Sequence, residues 1–343
     1  MRLTRIHPLG LLVLLAHSGP SQGDASTQRK AAHGRDLLHC VLRESQTHED
    51  IVLIPLLLEA AAASSTGSHR YSFTEIGAFD GFTESQTWLL DKCFGWHGVL
   101  IEASPQNFAQ LNATHRSKHS VKVHSAACNG TGSVTVLGGG GTVAGVADDF
   151  ARSFAKKWSN MHTNNCGGMP CKSEVACRPL PSIIADAGFP HVTFLSLDVE
   201  GGEERVLHTV AWQLGTAPGS FPFDVVMVEA DRHNVKKNER VKTMLKNWGM
   251  QRVALPQFPG SYNQLYIRPG LRDPRPSATE RQALNTRYHE PRVMKRLQGL
   301  LSTFNMSRRV QRIFAASPTL VIDRLAQSLP HEMDLLVREA ERQ

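Results

Sequence analysis

The feature that most constrains this chain is an alternation running from Tyr71 to Ile267, in which short β-branched runs are separated by segments of helical periodicity. The runs are Tyr71–Ile76, Val99–Glu102, Val121–Ser125, Thr193–Asp198 and Asp224–Glu229. Between them, Ser85–Phe94, Pro105–Ala113, Glu203–Val210 and Val235–Asn247 are long enough to serve as crossover helices, so the strands they connect should lie parallel. The last two runs, Gln251–Leu255 and Asn263–Ile267, are joined by a loop carrying Pro256, Pro259 and Gly260 that leaves no room for a helix. They should pair antiparallel. The expectation is an α/β, Rossmann-like domain with a mostly parallel seven-stranded sheet and an antiparallel last strand, flanked by helical N- and C-terminal extensions. Dinucleotide dehydrogenases usually keep such a sheet parallel throughout.

The flanks divide the chain into four stretches. Residues 1–23 read as a secretory signal peptide: Arg2 and Arg5 precede an apolar run from Leu9 to Ala16, followed by small and polar residues. That run falls short of the roughly 20 residues a bilayer span needs, as does Ile51–Ala63, which reads as a buried helix. Residues 24–67 form an N-terminal helical extension ending in the small polar run Ser64–Ser68. Residues 68–270 hold the alternating domain, and residues 271–343 form a basic helical extension behind a Pro- and Arg-rich linker. The apolar fraction of 41% and charged fraction of 20% fit a globular chain. A net charge of +7 comes largely from Lys236, Lys237, Arg240, Lys242 and Lys246 and from the C-terminal arginines. These clusters lack interleaved aromatics, so they read as solvated helix faces and not as a nucleic-acid surface.

Asn112, Asn129 and Asn305 each begin an Asn-x-Ser/Thr triplet, compatible with passage through the secretory pathway. Of six cysteines, Cys166, Cys171 and Cys177 crowd one loop, but Cys-x4-Cys-x5-Cys has no Cys-x2-Cys arms for zinc. Disulfides are the expectation, with the pairing open among 15 possibilities. No metal ligand is assigned. Gly138–Gly141 is a loop without the Gly-Lys-Ser/Thr ending of a phosphate cradle.

Candidate chemistry gathers at the ends of the strands, where open α/β sheets bind ligands. The first strand ends in Glu75-Ile-Gly77-Ala-Phe-Asp80-Gly81, whose glycines permit close backbone approach. Glu102 closes the second strand, 25 positions after Gly77, where an acidic side chain can accept from both hydroxyls of a ribose. A sulfonium cofactor carries no pyrophosphate, so a two-glycine turn suits a methyl donor better than a dinucleotide. In the fourth strand, period-two alternation puts Ser196, Asp198 and Glu200 on one side, while Glu203 and Glu204 favour the positive end of the next helix. The fifth strand aligns Glu229, Asp231 and His233. Asp198, Glu200 and His233 are the catalytic candidates, any of which could take a proton from an attacking hydroxyl, and Glu229 and Asp231 are candidate substrate ligands.

The strings Glu75-Ile-Gly-Ala-Phe-Asp-Gly81 with Thr83–Thr87, Gly95-Trp-His-Gly-Val-Leu-Ile-Glu102-Ala-Ser-Pro105 and Leu195-Ser-Leu-Asp-Val-Glu-Gly201 resemble, in order and spacing, the FkbM family of methyltransferases. The resemblance covers about Ser68 to Pro269. It implies a class I methyltransferase fold, S-adenosyl-L-methionine as donor, and O-methylation of a hydroxyl on a sugar, lipid or small molecule. It also implies that Glu75, Gly77, Asp80 and Gly81 lie at the cofactor turn, with Glu102 on the ribose and Asp198 near the methyl group. Glu75, Phe79 and Ser104 stand where many members carry Asp, Asn and Asn. The segment Leu137–Arg178 is an insertion expected to reshape the acceptor pocket. An alternative is a secretory-pathway binding protein that keeps the fold without turnover. A nicotinamide oxidoreductase is disfavoured by the terminal hairpin and the missing third glycine. The leader implies the ER or Golgi lumen, secretion, or routing to an organelle.

Overall fold

A computed structural model describes residues 36–47, 49–64, 71–138, 141–160, 171–217, 219–254 and 262–342. Residues 1–23, read from the sequence as a signal peptide, lie outside the described residues. The chain divides into two compact units.

The larger unit, Ser64–Asp91 with Gly95–Arg272, is built on a seven-stranded sheet. In chain order the strands of the larger unit are β1 (Ser72–Ile76), β2 (His97–Glu102), β3 (Val121–His124), β4 (Ala126–Ala127), β5 (Gly132–Leu137), β6 (Gly145–Val146), β7 (Lys172–Arg178), β8 (Val192–Leu197), β9 (Phe223–Glu229), β10 (Gln251–Val253) and β11 (Asn263–Ile267). The main sheet runs β10-β11-β9-β8-β1-β2-β3. Every pairing from β9 to β3 is parallel, and β11 is antiparallel to both β9 and β10. Strand order reverses between β1 and β8, which places a switch point at their carboxyl ends. β1 and β8 are buried along their whole length because helices cover both faces.

The predicted helices Pro105–Ala113 and Val235–Asn247 form as read, and Glu203–Leu214 runs four residues longer than expected. The helix expected from Ser85 begins at Trp88 instead. The reason is local: the Glu75 carboxylate accepts from Ser85 Oγ at 2.8 Å, Gln86 N at 2.8 Å and Thr87 Oγ1 at 2.6 Å, fixing these three residues as a turn. Arg116 completes that arrangement. Its guanidinium lies 5.2 Å from the Phe73 ring and 5.5 Å from the Trp88 ring, pairs with Asp91 at 3.1 Å and donates to Gly81 O at 3.0 Å.

The insertion contributes β6 and β7 to a second sheet, β4-β7-β5-β6, stapled by a Cys128–Cys177 disulfide with 5.6 Å between Cα atoms. Cys171 is also disulfide-bonded, so the cysteine-rich stretch forms disulfides as expected. Lys237, expected on a solvated face, is 1% exposed, while Lys236, Arg240, Lys242 and Lys246 do face solvent.

The smaller unit holds the described residues up to Ala63, Lys92–Phe94, and everything from Asp273 onward. Glu49–Ala63 is a helix with ten buried residues, which accounts for its unbroken apolar run. Ser307 ties the two ends of the chain together: its N–H donates to Leu42 O and its hydroxyl to Ser45 O, both at 3.0 Å. A Cys40–Cys93 disulfide closes within this unit. Among the described residues no helix is long and apolar enough to cross a membrane.

Removing Arg116 would leave Asp91 buried without its cation, a change that typically costs about 3–5 kcal/mol. Arg116→Ala should therefore lower the midpoint of denaturant unfolding, followed by tryptophan fluorescence, while leaving the slope unchanged. An unaltered midpoint would mean that the guanidinium does not hold the turn.

Candidate functional site

The turns after β1, β2, β8 and β9 converge on one edge of the sheet. Gly77 N and Ala78 N donate to Ile101 O at 3.0 and 3.1 Å, and Asp198 N donates to Ile76 O at 3.1 Å. Gly77 sits at φ +80°, and a Cβ there would lie 1.7 Å from the Asp198 carbonyl oxygen. The close approach that this glycine permits is thus first of all to the neighbouring turn of the protein itself. Phe79, Glu84 and Glu200 also have positive φ, at 48°, 59° and 57°. All three lie in the turns that follow β1 and β8, so backbone strain is concentrated at this edge.

A cleft opens between these turns and the second sheet. Ile76, Gly77, Ile101 and Glu102 line one side, Val199, Gly202 and Val206 another, and Ser125–Ala127, Ala144–Val146 and Asp149 the third. The insertion therefore supplies a wall of the cleft. Glu102 is 5% exposed, accepting from Phe79 N at 2.8 Å and Ser104 N at 2.7 Å. Burial pushes its carboxyl up to about 7, against the pull of those hydrogen bonds. The Asn107 side chain and the Ala103 backbone also donate toward this carboxyl.

Glu75 and Asp80 are spent on the protein itself. Glu75 holds the Ser85–Thr87 turn, and Asp80 accepts from Phe82 N, Thr83 N and Thr83 Oγ1 at 2.7–2.8 Å. Gly81, at φ +74°, packs against Leu111, and a Cβ would stand 2.5 Å from its Cδ1. Of the expected cofactor-turn residues, Gly77 and Glu102 face the cleft, while Glu75 and Asp80 shape the loop beside it.

The acidic residues beyond β8 and β9 do come together. Oxygens of Asp198, Glu203 and Glu229 lie within 4.8 Å of one another. Glu203, read from the sequence only as a helix-end charge, accepts from Val199 N and Gly201 N at 3.2 Å and forms a buried ion pair with Lys237. Burial opposes the Lys237 charge, but Glu203, Asp231 and Glu229 hold its ammonium above the ordinary lysine range. One buried cation cannot neutralise the whole set. Burial first, and then the Glu203 charge, push Asp198 up to about 7. Burial and the neighbouring carboxylates push Glu200 and Glu229 further, to about 9 and about 10. Three oxygens this close have the spacing of a hard-cation set, but Lys237 already occupies Glu203.

Asp231 and His233 are positioned differently. Asp231 is buried and caps its own turn, accepting from His233 N at 2.7 Å and Asn234 N at 3.1 Å. The His233 ring pairs with Ser153 Oγ at 2.9 Å through Nδ1 and meets the edge of Phe154, on the helix Arg152–Lys157. The sequence order of β9 gave no sign of that partner, which comes from the insertion.

A Rossmann-like sheet with this strand order, an antiparallel final strand and an acidic, glycine-turned carboxyl edge defines the class I methyltransferase fold. The family model of the methyltransferase FkbM domain matches residues 75–251, more than half of the chain, and the protein belongs to that family. A crystal structure of methyltransferase FkbM from Methylobacillus flagellatus is similar at 15% identity and a TM-score of 0.33, over 71% of this chain. The chain spans 60% of the length of that protein. Comparison with curated proteins gives no match.

Glu229 binds a proton more tightly in the folded protein than in the unfolded chain, so its contribution to stability is full below about pH 4.5 and is lost as pH rises toward about 10. Glu229→Gln removes that loss. Calorimetric melting should show the variant gaining on the parent protein at pH 9 relative to pH 5. A constant difference between the two pH values would contradict the raised affinity for the proton.

Proposed function

We propose that this methyltransferase uses S-adenosyl-L-methionine to methylate a hydroxyl oxygen on a sugar, lipid or small molecule. The observation that carries the reading is the placement of two carboxylates on strands flanking β1: Glu102 at the end of β2 and Asp198 just beyond β8. The cleft residues fit the cofactor. Glu102 is an acceptor suited to a ribose diol, the walls around it are apolar, and the carboxyl of Asp198 at the neighbouring strand end could face a sulfonium. The cofactor supplies an electrophilic methyl group. The protein's part is to bring an acceptor hydroxyl in line with it and to take the hydroxyl proton as the new C–O bond forms.

Asp198 is the base this reading favours. It stands just beyond β8 among the acidic residues of this edge, and a carboxyl poised near pH 7 changes state where a general base is most useful. Glu200 and Glu229 hold their protons at that pH and serve to orient the acceptor or the base. His233, paired with Ser153, stands second as a proton acceptor. The secretory leader, together with Asn112, Asn129 and Asn305 on exposed surface, supports an enzyme of the secretory lumen. A retained fold without turnover is the second reading, favoured by the scarcity of the methyl donor outside the cytosol.

Glu102→Ala should weaken calorimetric binding of S-adenosylhomocysteine by at least tenfold in a protein that remains folded. In the parent enzyme kcat/KM should rise with pH through about 7 as Asp198 loses its proton. Asp198→Asn should abolish that limb and lower kcat by roughly 10²- to 10⁴-fold, the usual worth of general-base catalysis. Donor binding without transfer to any of a panel of hydroxylated acceptors would favour the inactive reading. In secreting cells, a shift in mobility upon removal of N-glycans tests the compartment.

A further inference from the structure

The cleft beside Glu102 contains a second carboxylate that neither the family motifs nor the reading above employs. Asp149 comes from the turn following β6, inside the insertion, and its side chain is only 11% exposed. Arg205 approaches Oδ1 at 2.7 Å, on the first turns of the helix after β8. Two glycines make room for this intrusion. A Cβ at Gly201 would stand 2.4 Å from the Asp149 carbonyl oxygen, and one at Gly202 would stand 2.6 Å from Oδ2. The glycines of the Val-Glu-Gly-Gly element are thus what allows Asp149 to lie against the end of β8.

The surroundings decide which part of a methyl donor belongs there. Ile101, Ala127, Val199 and Val206 wall the cleft with apolar groups. An amino-acid tail carries an ammonium and a carboxylate, and neither is stable against such walls. The ribose is accounted for by Glu102, and the methyl group must face the Asp198 edge for transfer to occur. What remains is the flat purine, whose faces suit apolar walls but whose exocyclic amine needs an acceptor once buried.

We infer that Asp149 recognises the exocyclic amine of the donor's purine and is a specificity-determining residue of the cofactor cleft. The inference rests on the methyl-donor reading given above. The Arg205 guanidinium favours the ionised form of Asp149 and engages one side of the carboxylate, and about four lone-pair sites on its two oxygens leave room for a second donor. Burial alone would favour the protonated acid and pushes the group up to about 6, so the anion prevails at pH 7.5. A 6-oxopurine presents an oxygen where adenine presents an amine. Against Asp149 it would set acceptor to acceptor, and leaving such a buried pair unsatisfied typically reduces affinity by roughly 10- to 100-fold.

The test is titration calorimetry at pH 7.5 on the disulfide-intact chain, using S-adenosylhomocysteine and S-inosylhomocysteine. The parent protein should prefer the adenosyl compound by at least tenfold. Asp149→Asn, whose amide can turn its NH2 toward a 6-oxo group, should shrink that preference to threefold or less. Asp149→Ala should shrink it too, without inversion, and serves where the Asn variant fails to fold. Arg205→Gln should weaken both ligands yet keep their order. If the aspartate variants lose affinity equally for both compounds and the preference survives, Asp149 is only a structural member of the wall and the inference is overturned. If the folded parent protein takes up neither compound, the methyl-donor reading falls first and the inference with it.

Discussion

A carboxylate placed under a protein surface has to meet hydrogen bonds, a cation or a proton, and this domain collects such groups along one edge of its sheet. Lys237 is the single buried cation in the set, and Glu203 takes most of it. Glu200 and Glu229 retain protons instead, with burial and the neighbouring carboxylates raising their affinity for them. The turns that carry these groups are held by backbone donors to Glu203 and by the contact between Gly77 and the Asp198 carbonyl. Chemistry and architecture at this edge are therefore the same set of interactions. A side chain that neutralised the edge would also loosen the turns that shape it.

Most of the main sheet could be read from the chain before folding. β-branched runs buried on both faces and amphipathic crossovers such as Val235–Asn247 carry their own periodicity, and the short Pro-Gly connection before Asn263 dictates an antiparallel partner. The candidate carboxylates were equally legible, because alternation along a strand decides which of them share a face. Their division of labour was not. Glu75 and Glu102 look alike in sequence, each an acid near a strand's end, yet one spends its oxygens on Ser85, Gln86 and Thr87 while the other borders the cleft. That difference depends on which loop folds back over which side chain.

The insertion was the harder part for a related reason. β5 and β7 pair across roughly forty residues, and β7 mixes Lys172, Glu174 and Arg178 with Val175 and Cys177. Neither strand has an apolar pattern strong enough to stand out alone, and each acquires its identity from the other. The same applies to Lys237, one of five basic residues in its neighbourhood. Only a tertiary partner, Glu203, distinguishes it from the four that remain in water.

The bond between Cys128 and Cys177 gives that second sheet a consequence beyond its own stability. Ser125, Ala126 and Ala127 border the cleft immediately before Cys128, and β4 lies in register with the strand that contains Cys177. A covalent tie at this place removes freedom from a segment that borders the cleft, so the entropic cost of ordering it falls during folding and not at each binding event. Thiol chemistry in the surrounding compartment thereby becomes a determinant of how well formed the receptacle is before any ligand arrives.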